Sequence, residues 1–210
     1  MQIYRTSCLL FCSILIWLAG CKTVHSNMQP VKADMNKLAQ FRPAFNVALY
    51  KTQVDVAGNH LSGLLLIKRM PDSTLRMVFS NEMGFKFFDF EFGKDGSFKV
   101  YSVISQMNRK AVLKTLHHDL ELLLMQDMDF SKAFTRKGDG LLYHVFPKKK
   151  GFHYYITDSS FSTLVRLERA TDKKVITETI MKDYVDGIPD TIGISHKTFE
   201  FTIGLKRIER

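Results

Sequence analysis

Residues 46–92 read NVALYKTQVDVAGNHLSGLLLIKRMPDSTLRMVFSNEMGFKFFDFEF, and the rhythm of this stretch sets the architecture. Four apolar and β-branched runs, Asn46–Val56, Leu61–Met70, Leu75–Ser80 and Phe85–Phe92, are divided by Gly58-Asn59, by Pro71-Asp72-Ser73 and by Asn81-Glu82-Met83-Gly84. Gly-Asn between two such runs is a two-residue hairpin signal. Gly93-Lys94-Asp95-Gly96 closes the fourth run, and Phe98–Val103 continues the series. Strands joined by turns this short are antiparallel neighbours, because a parallel pair needs a crossover of about a dozen residues.

Working outward, the period changes over Met107–Met128. Val112, Leu113, Leu116, Leu120, Leu123 and Leu124 fall on one helical stripe, with Lys110, Lys114, His118 and Glu121 elsewhere. Asn108 or Ser105 is the expected cap. After Gly138-Asp139-Gly140, strands resume at Leu141–Phe146, Phe152–Asp158, Thr163–Arg169, Val175–Tyr184 and Ile192–Ile208. In the last, Phe199, Phe201, Ile203 and Leu205 alternate with Glu200, Thr202 and Lys206, the pattern of a sheet with one dry and one wet face. Toward the N-terminus, Pro43 marks a boundary, and Val31–Phe41 reads as a short amphipathic helix after a polar spacer. The expected fold class is α+β: a large curved antiparallel sheet, an open half-barrel of about ten or eleven strands, with a central helix and a short N-terminal helix as lid.

A curved sheet must have its concave side filled by a helix or by a ligand. On the strand Phe85–Phe92, Phe88, Phe90 and Phe92 share one face, while Phe85 and Phe87 share the other with Asp89 and Glu91. Two readings stay open. The phenylalanines form an ordinary core, or Phe88, Phe90, Phe92, Leu113, Leu116, Leu120, Phe199 and Phe201 line a hydrophobic cavity for acyl chains. The 17 phenylalanines and 10 methionines suit an adaptable lining.

The start of the chain carries a leader. Arg5 precedes an apolar run from Cys8 to Leu18, too short to span the roughly 30 Å of a bilayer core. Its ending, Leu18-Ala19-Gly20-Cys21, resembles the lipobox of bacterial lipoproteins, which implies removal of residues 1–20 and lipid modification of Cys21. Residues 21–43 are then the lipidated N-terminus with spacer and short helix, and residues 44–210 the folded domain. The only prosthetic groups expected are the covalent diacylglycerol and acyl (palmitate-type) groups on Cys21. Cys8 and Cys12 leave with the leader, so no disulfide forms within the mature chain. Of the formal charge of +9, Arg5 alone belongs to the leader. Export argues against nucleic acid as the partner of this charge and favours membrane lipid, or a plainly solvated surface. Lys148-Lys149-Lys150 fits a hairpin turn under either reading.

Enzyme chemistry finds no support. His117-His118-Asp119 with Glu121 offers two side chains on one helix face, short of the three or four ligands zinc needs. There is no G-x-S-x-G elbow, no glycine-rich phosphate loop and no free mature cysteine. No catalytic residue and no metal ligand is expected.

The segment Thr74–Phe92, TLRMVFSNEMGFKFFDFEF, resembles the strand, loop and strand of LolB, the outer-membrane lipoprotein that receives lipoproteins from the carrier LolA. The resemblance continues loosely through the central helix and through Tyr184, Pro189, Ile192, Phe199 and Ile203. It implies a half-barrel that takes up acyl chains of other lipoproteins from a LolA-like carrier, and a loop, Met83, Gly84 and Phe85, that contacts the membrane. It further implies a monomer lipid-anchored to the outer membrane and facing the periplasm, with Lys22 where some bacteria place a retention aspartate. Two departures stand out: Met83 occupies the place of the family's leucine, and the sole tryptophan, Trp17, lies in the leader. The alternative is a structural envelope lipoprotein that docks a protein partner around a self-filled core.

Overall fold

The computed structural model describes residues 24–25, 27–56, 58–126 and 128–208. The leader and Cys21 lie outside the described residues. Among the described residues thirteen strands form one sheet with every neighbouring pair antiparallel. In chain order they are β1 (Gln29–Val31), β2 (Val47–Val56), β3 (Asn59–Arg69), β4 (Leu75–Ser80), β5 (Lys86–Phe92) and β6 (Phe98–Val103), then β7 (Phe134–Gly138), β8 (Leu141–Lys148), β9 (Gly151–Asp158), β10 (Leu164–Ala170), β11 (Val175–Val185), β12 (Ile188–His196) and β13 (Phe201–Arg207). The order across the sheet is β1-β7-β8-β9-β10-β11-β12-β13-β2-β3-β4-β5-β6. It does not close; β1 and β6 are its edges. Among the described residues, a 3₁₀ helix, Met35–Phe41, and an α-helix, α1 (Lys110–Leu124), accompany the sheet.

The two helices and the inward residues of the sheet share one core. Leu38 and Phe41 from the 3₁₀ helix and Leu116, Leu120, Leu123 and Leu124 from α1 belong to the same cluster as Phe90 on β5, Phe146 on β8, Leu167 on β10 and Ile192 on β12. A flat sheet could not bring strands this far apart in its order onto one short helix, so the sheet curves around α1. A smaller cluster, Tyr143, Val145, Tyr154, Ile156 and Ala170, lies on the convex side. Alternation puts Tyr143 and Val145 outside and Phe146 inside on one strand.

Several expectations need correction. The strand count rises to thirteen because β1 and β7 escaped the pattern and because Ile192–Ile208 is a hairpin, β12 and β13, rather than one strand. β1 contains Pro30, which an edge position tolerates since its missing N–H faces no partner. Phe199 falls in the turn between β12 and β13, one pleat beyond the first paired residue, Phe201 opposite Val56. Val56 pairs with Asn59, so the hairpin turn sits one residue earlier than Gly58-Asn59. That register sends Tyr50, Val54, Leu65 and Ile67 into the core. The short N-terminal helix is 3₁₀ and begins only at Met35, with the Asp34 carboxylate accepting from the Asn36 N–H at 3.2 Å. α1 is shorter than Met107–Met128; its N-cap is Arg109, with no side-chain cap, and Met125 ends it in a left-handed conformation. Part of the expected spacer is also tied down, through the Val24 N–H donating to the Asp172 carbonyl at 2.8 Å and through β1.

Gly63 on β3 marks a close approach. A Cβ there would meet the Ser80 backbone oxygen at 2.1 Å, which no rotamer change relieves. Gly63→Ala is expected to destabilise the fold by about 1–3 kcal/mol. Urea denaturation checks this through a lowered midpoint at unchanged slope; an unmoved midpoint would mean that the β3–β4 ladder shifts freely.

Candidate functional site

The β4–β5 hairpin is braced by its first turn residue. The Asn81 side-chain oxygen accepts from the N–H groups of Met83 (3.1 Å) and Phe85 (2.8 Å), while the Asn81 carbonyl accepts from Gly84 (3.0 Å). Gly84 takes φ +84°, a conformation that side chains disfavour. This frame holds Met83 94% exposed and Phe85 58% exposed. The expected contact loop Met83-Gly84-Phe85 is therefore an ordered apolar tip.

A bulge after Phe79 links that tip to the interior. Phe79 pairs with Phe88 but Ser80 pairs with Lys86, so Phe87 is the extra residue on β5. Phe87 leaves the face of Asp89 and Glu91, where alternation put it, and packs against Phe79 at 4.7 Å between ring centroids. Phe85 meets Phe87 edge-on at 5.8 Å, and Phe79 lies 5.7 Å from Phe88. Phe88 stacks on Phe90 at 4.3 Å, and Phe90 meets Phe98 at 5.1 Å. Aromatic rings thus run without a break from the exposed tip into the buried core cluster at the β4–β5–β6 end of the sheet. Outside, Arg76 pairs with Asp89 at 2.5 Å and lies 3.6 Å over the Tyr101 ring. Its guanidinium holds the Asp89 carboxyl below the usual carboxylate range.

Of the residues expected to line a cavity, Phe88, Phe90, Phe92, Leu116, Leu120 and Phe201 are buried in the common core, and Leu113 packs at its margin. Phe199 does not join them: it is 48% exposed, beside His196 (4.4 Å) and Phe201 (5.8 Å). The leucines of α1 lie on the concave face, the first of the two fillings expected for it, and Leu120 and Leu123 are at most 2% exposed. A cleft of about 310 Å³ touches the set at Phe92; the Gly93–Ser97 turn, His117 and Glu121 also line it.

Sequence reasoning missed the polar group that fastens α1. Asp119, fully buried, accepts from the Thr177 hydroxyl (3.0 Å) and from Arg169 Nη2 (3.3 Å), with His196 Nε2 2.5 Å from its other oxygen. These partners come from β11, β10 and β12, so one carboxylate ties the helix to three strands. The sequence signal is an aspartate next to the apolar stripe. The two histidines diverge: His118 contacts Glu121 at 3.3 Å, and that bond holds the Glu121 carboxyl below its ordinary range, while His117 stacks on Phe98 at 4.3 Å. Among the described residues no cluster of three or more His, Cys, Asp or Glu forms a metal site, and no helix is long and apolar enough to cross a membrane.

On the convex side His25 anchors the incoming chain. Its Nε2 lies 2.7 Å from Glu168, and its ring packs on Tyr143 and Tyr154, both at 4.9 Å. Burial pushes the Glu168 carboxyl up, but the hydrogen bonds from His25 and Arg166 outweigh it and hold it low.

No known family profile matches the chain, and neither does any curated protein. Solved structures are similar to it in fold. One, a domain ascribed to outer membrane lipoprotein sorting from Vibrio parahaemolyticus, has 11% identity and a TM-score of 0.44, covering 83% of this chain and 88% of that one. A DUF1329 family protein from Desulfovibrio piger has 10% identity and a TM-score of 0.45, covering 86% and 92%. A LolA superfamily protein from Nitrosomonas europaea has 7% identity and a TM-score of 0.48, covering 83% and 90%.

Proposed function

We propose that this chain is a lipid-anchored envelope protein, tethered through Cys21 to the outer membrane, that receives acyl chains from a LolA-like carrier and passes lipoproteins into the bilayer. The observation that carries the reading is the aromatic path from the exposed Met83-Gly84-Phe85 tip to the buried Phe88/Phe90 pair. A tip at bilayer depth gives an acyl chain a continuous apolar track, each buried methylene contributing about 0.8 kcal/mol. Entry to the interior requires α1 to lift, because its leucines occupy the concave face.

Two measurements test this. Organic extraction of the purified full chain is expected to release fatty acid or phospholipid. Met83→Glu is expected to leave the urea midpoint unchanged, since the side chain touches almost nothing, and to impair lipoprotein delivery to the outer membrane. Intact delivery by that variant together with a lipid-free extract would remove the carrier reading. The filled concave face supports a second reading, a structural lipoprotein that docks a protein partner. A dry extract with a stably co-purified partner favours it.

A further inference from the structure

The two rims of the sheet differ in charge. Antiparallel order places the β2–β3, β4–β5, β8–β9, β10–β11 and β12–β13 turns on one rim and the remaining hairpin turns on the other. The first rim carries the apolar tip, the exposed Phe199, and the exposed Lys149, Lys150, Lys173 and Lys174. Among the described residues no carboxylate pairs with these four ammonium groups; Lys197, by contrast, is engaged with Glu178 at 3.5 Å. Glu82, Asp172 and Glu200 are the acidic residues of these turns. The opposite rim presents Asp72, Asp95, Asp139, Asp158 and Asp186 in or beside its turns, against Lys94 and Arg69.

The incoming chain joins the basic rim. Val24 is bonded to Asp172, in the same turn as Lys173 and Lys174. Residues 21–23 extend at most about 10 Å beyond Val24. A charge feels an anionic surface across roughly one Debye length, about 8–10 Å at physiological salt. A tether of that reach keeps the lysines inside the range where headgroups attract them, and leaves the aspartate rim outside it.

We infer that the basic rim is a docking surface for an anionic phospholipid bilayer: Lys149, Lys150, Lys173 and Lys174 engage headgroup phosphates, and Phe199 joins Met83 and Phe85 at the acyl boundary. This orientation rests on the reading of Cys21 as the tether, and it fixes which way the aromatic path faces. Each lysine near such a surface shifts the docked population about fivefold.

Lysine footprinting of the full chain, reconstituted into vesicles and read by mass spectrometry after a water-soluble acylating reagent, tests it. In vesicles of equal parts phosphatidylglycerol and phosphatidylcholine, the four rim lysines are expected to be protected and Lys94 to react fully. In pure phosphatidylcholine the protection is expected to fall about tenfold or more. Replacing the four lysines by glutamine is expected to leave the fold intact and to expose a cysteine probe placed at Phe199 to aqueous reagent. Equal reactivity of both rims in both vesicles, or protection at Lys94, overturns the docking surface. The mass of the peptide containing Cys21, from the same digest, reports the tether separately, so failure of acylation and failure of docking are distinguishable.

Discussion

Asp119→Ala is expected to destabilise the domain by about 3–5 kcal/mol, the effect of removing one partner from a buried charge group. The carboxylate is fully enclosed and receives Thr177, Arg169 and His196 at 2.5–3.3 Å. Removing it takes the shared acceptor from Arg169 Nη2 and His196 Nε2, and the His196 side chain, 1% exposed, recovers no water. The Arg169 side chain is 17% exposed, so partial reorientation toward solvent would set the lower end of the range. Asp119→Asn keeps an acceptor for Thr177 and is expected to lose less. Chemical denaturation of both variants measures the difference. If Ala at this position left the midpoint where it was, the group would contribute nothing to seating α1, and the helix would lie on the sheet by its leucines alone.

Phe90→Ala is expected to cost about 3–5 kcal/mol, combining lost transfer free energy with the cavity left behind. Phe90 has no exposed surface, stacks on Phe88 at 4.3 Å with ring planes 8° apart, and meets Phe98 edge-on. The size of the loss also bears on function. A tightly filled interior cannot collapse around the gap and pays the full amount; an interior with room for a guest relaxes, and the loss falls below about 2 kcal/mol. The same variant, having more space, is expected to retain more extractable lipid if acyl chains enter under α1.

The meander from Asn46 to Val103 was legible because each strand is punctuated by its own turn residues and because alternation names the inward face. α1 was legible from its stripe, although its ends were not: neither Asn108 nor Ser105 caps it. The apolar tip could be read from Met83 standing beside Gly84 between two strands. Phe199 was misplaced because period-two alternation looks the same in a strand and in the residues just before its first paired position; only pairing with β2 starts β13 at Phe201. Phe87 was misplaced for a related reason. A single bulge reverses the side on which a residue emerges, and bulges depend on the partner strand rather than on the residue itself.

Sequence alone determined the antiparallel series, the apolar stripe of α1, the apolar identity of the inward faces and the exposed character of the β4–β5 tip. All of these follow from local period and turn chemistry, which act over a few residues. Tertiary structure decided how α1 packs inside the curve of the sheet, and how Asp119 meets partners fifty and more residues away. It also decided that the lysine turns share a rim with Met83, Phe85 and the incoming chain. Such juxtapositions arise from strand order across the sheet, and strand order joins residues that no sequence window contains.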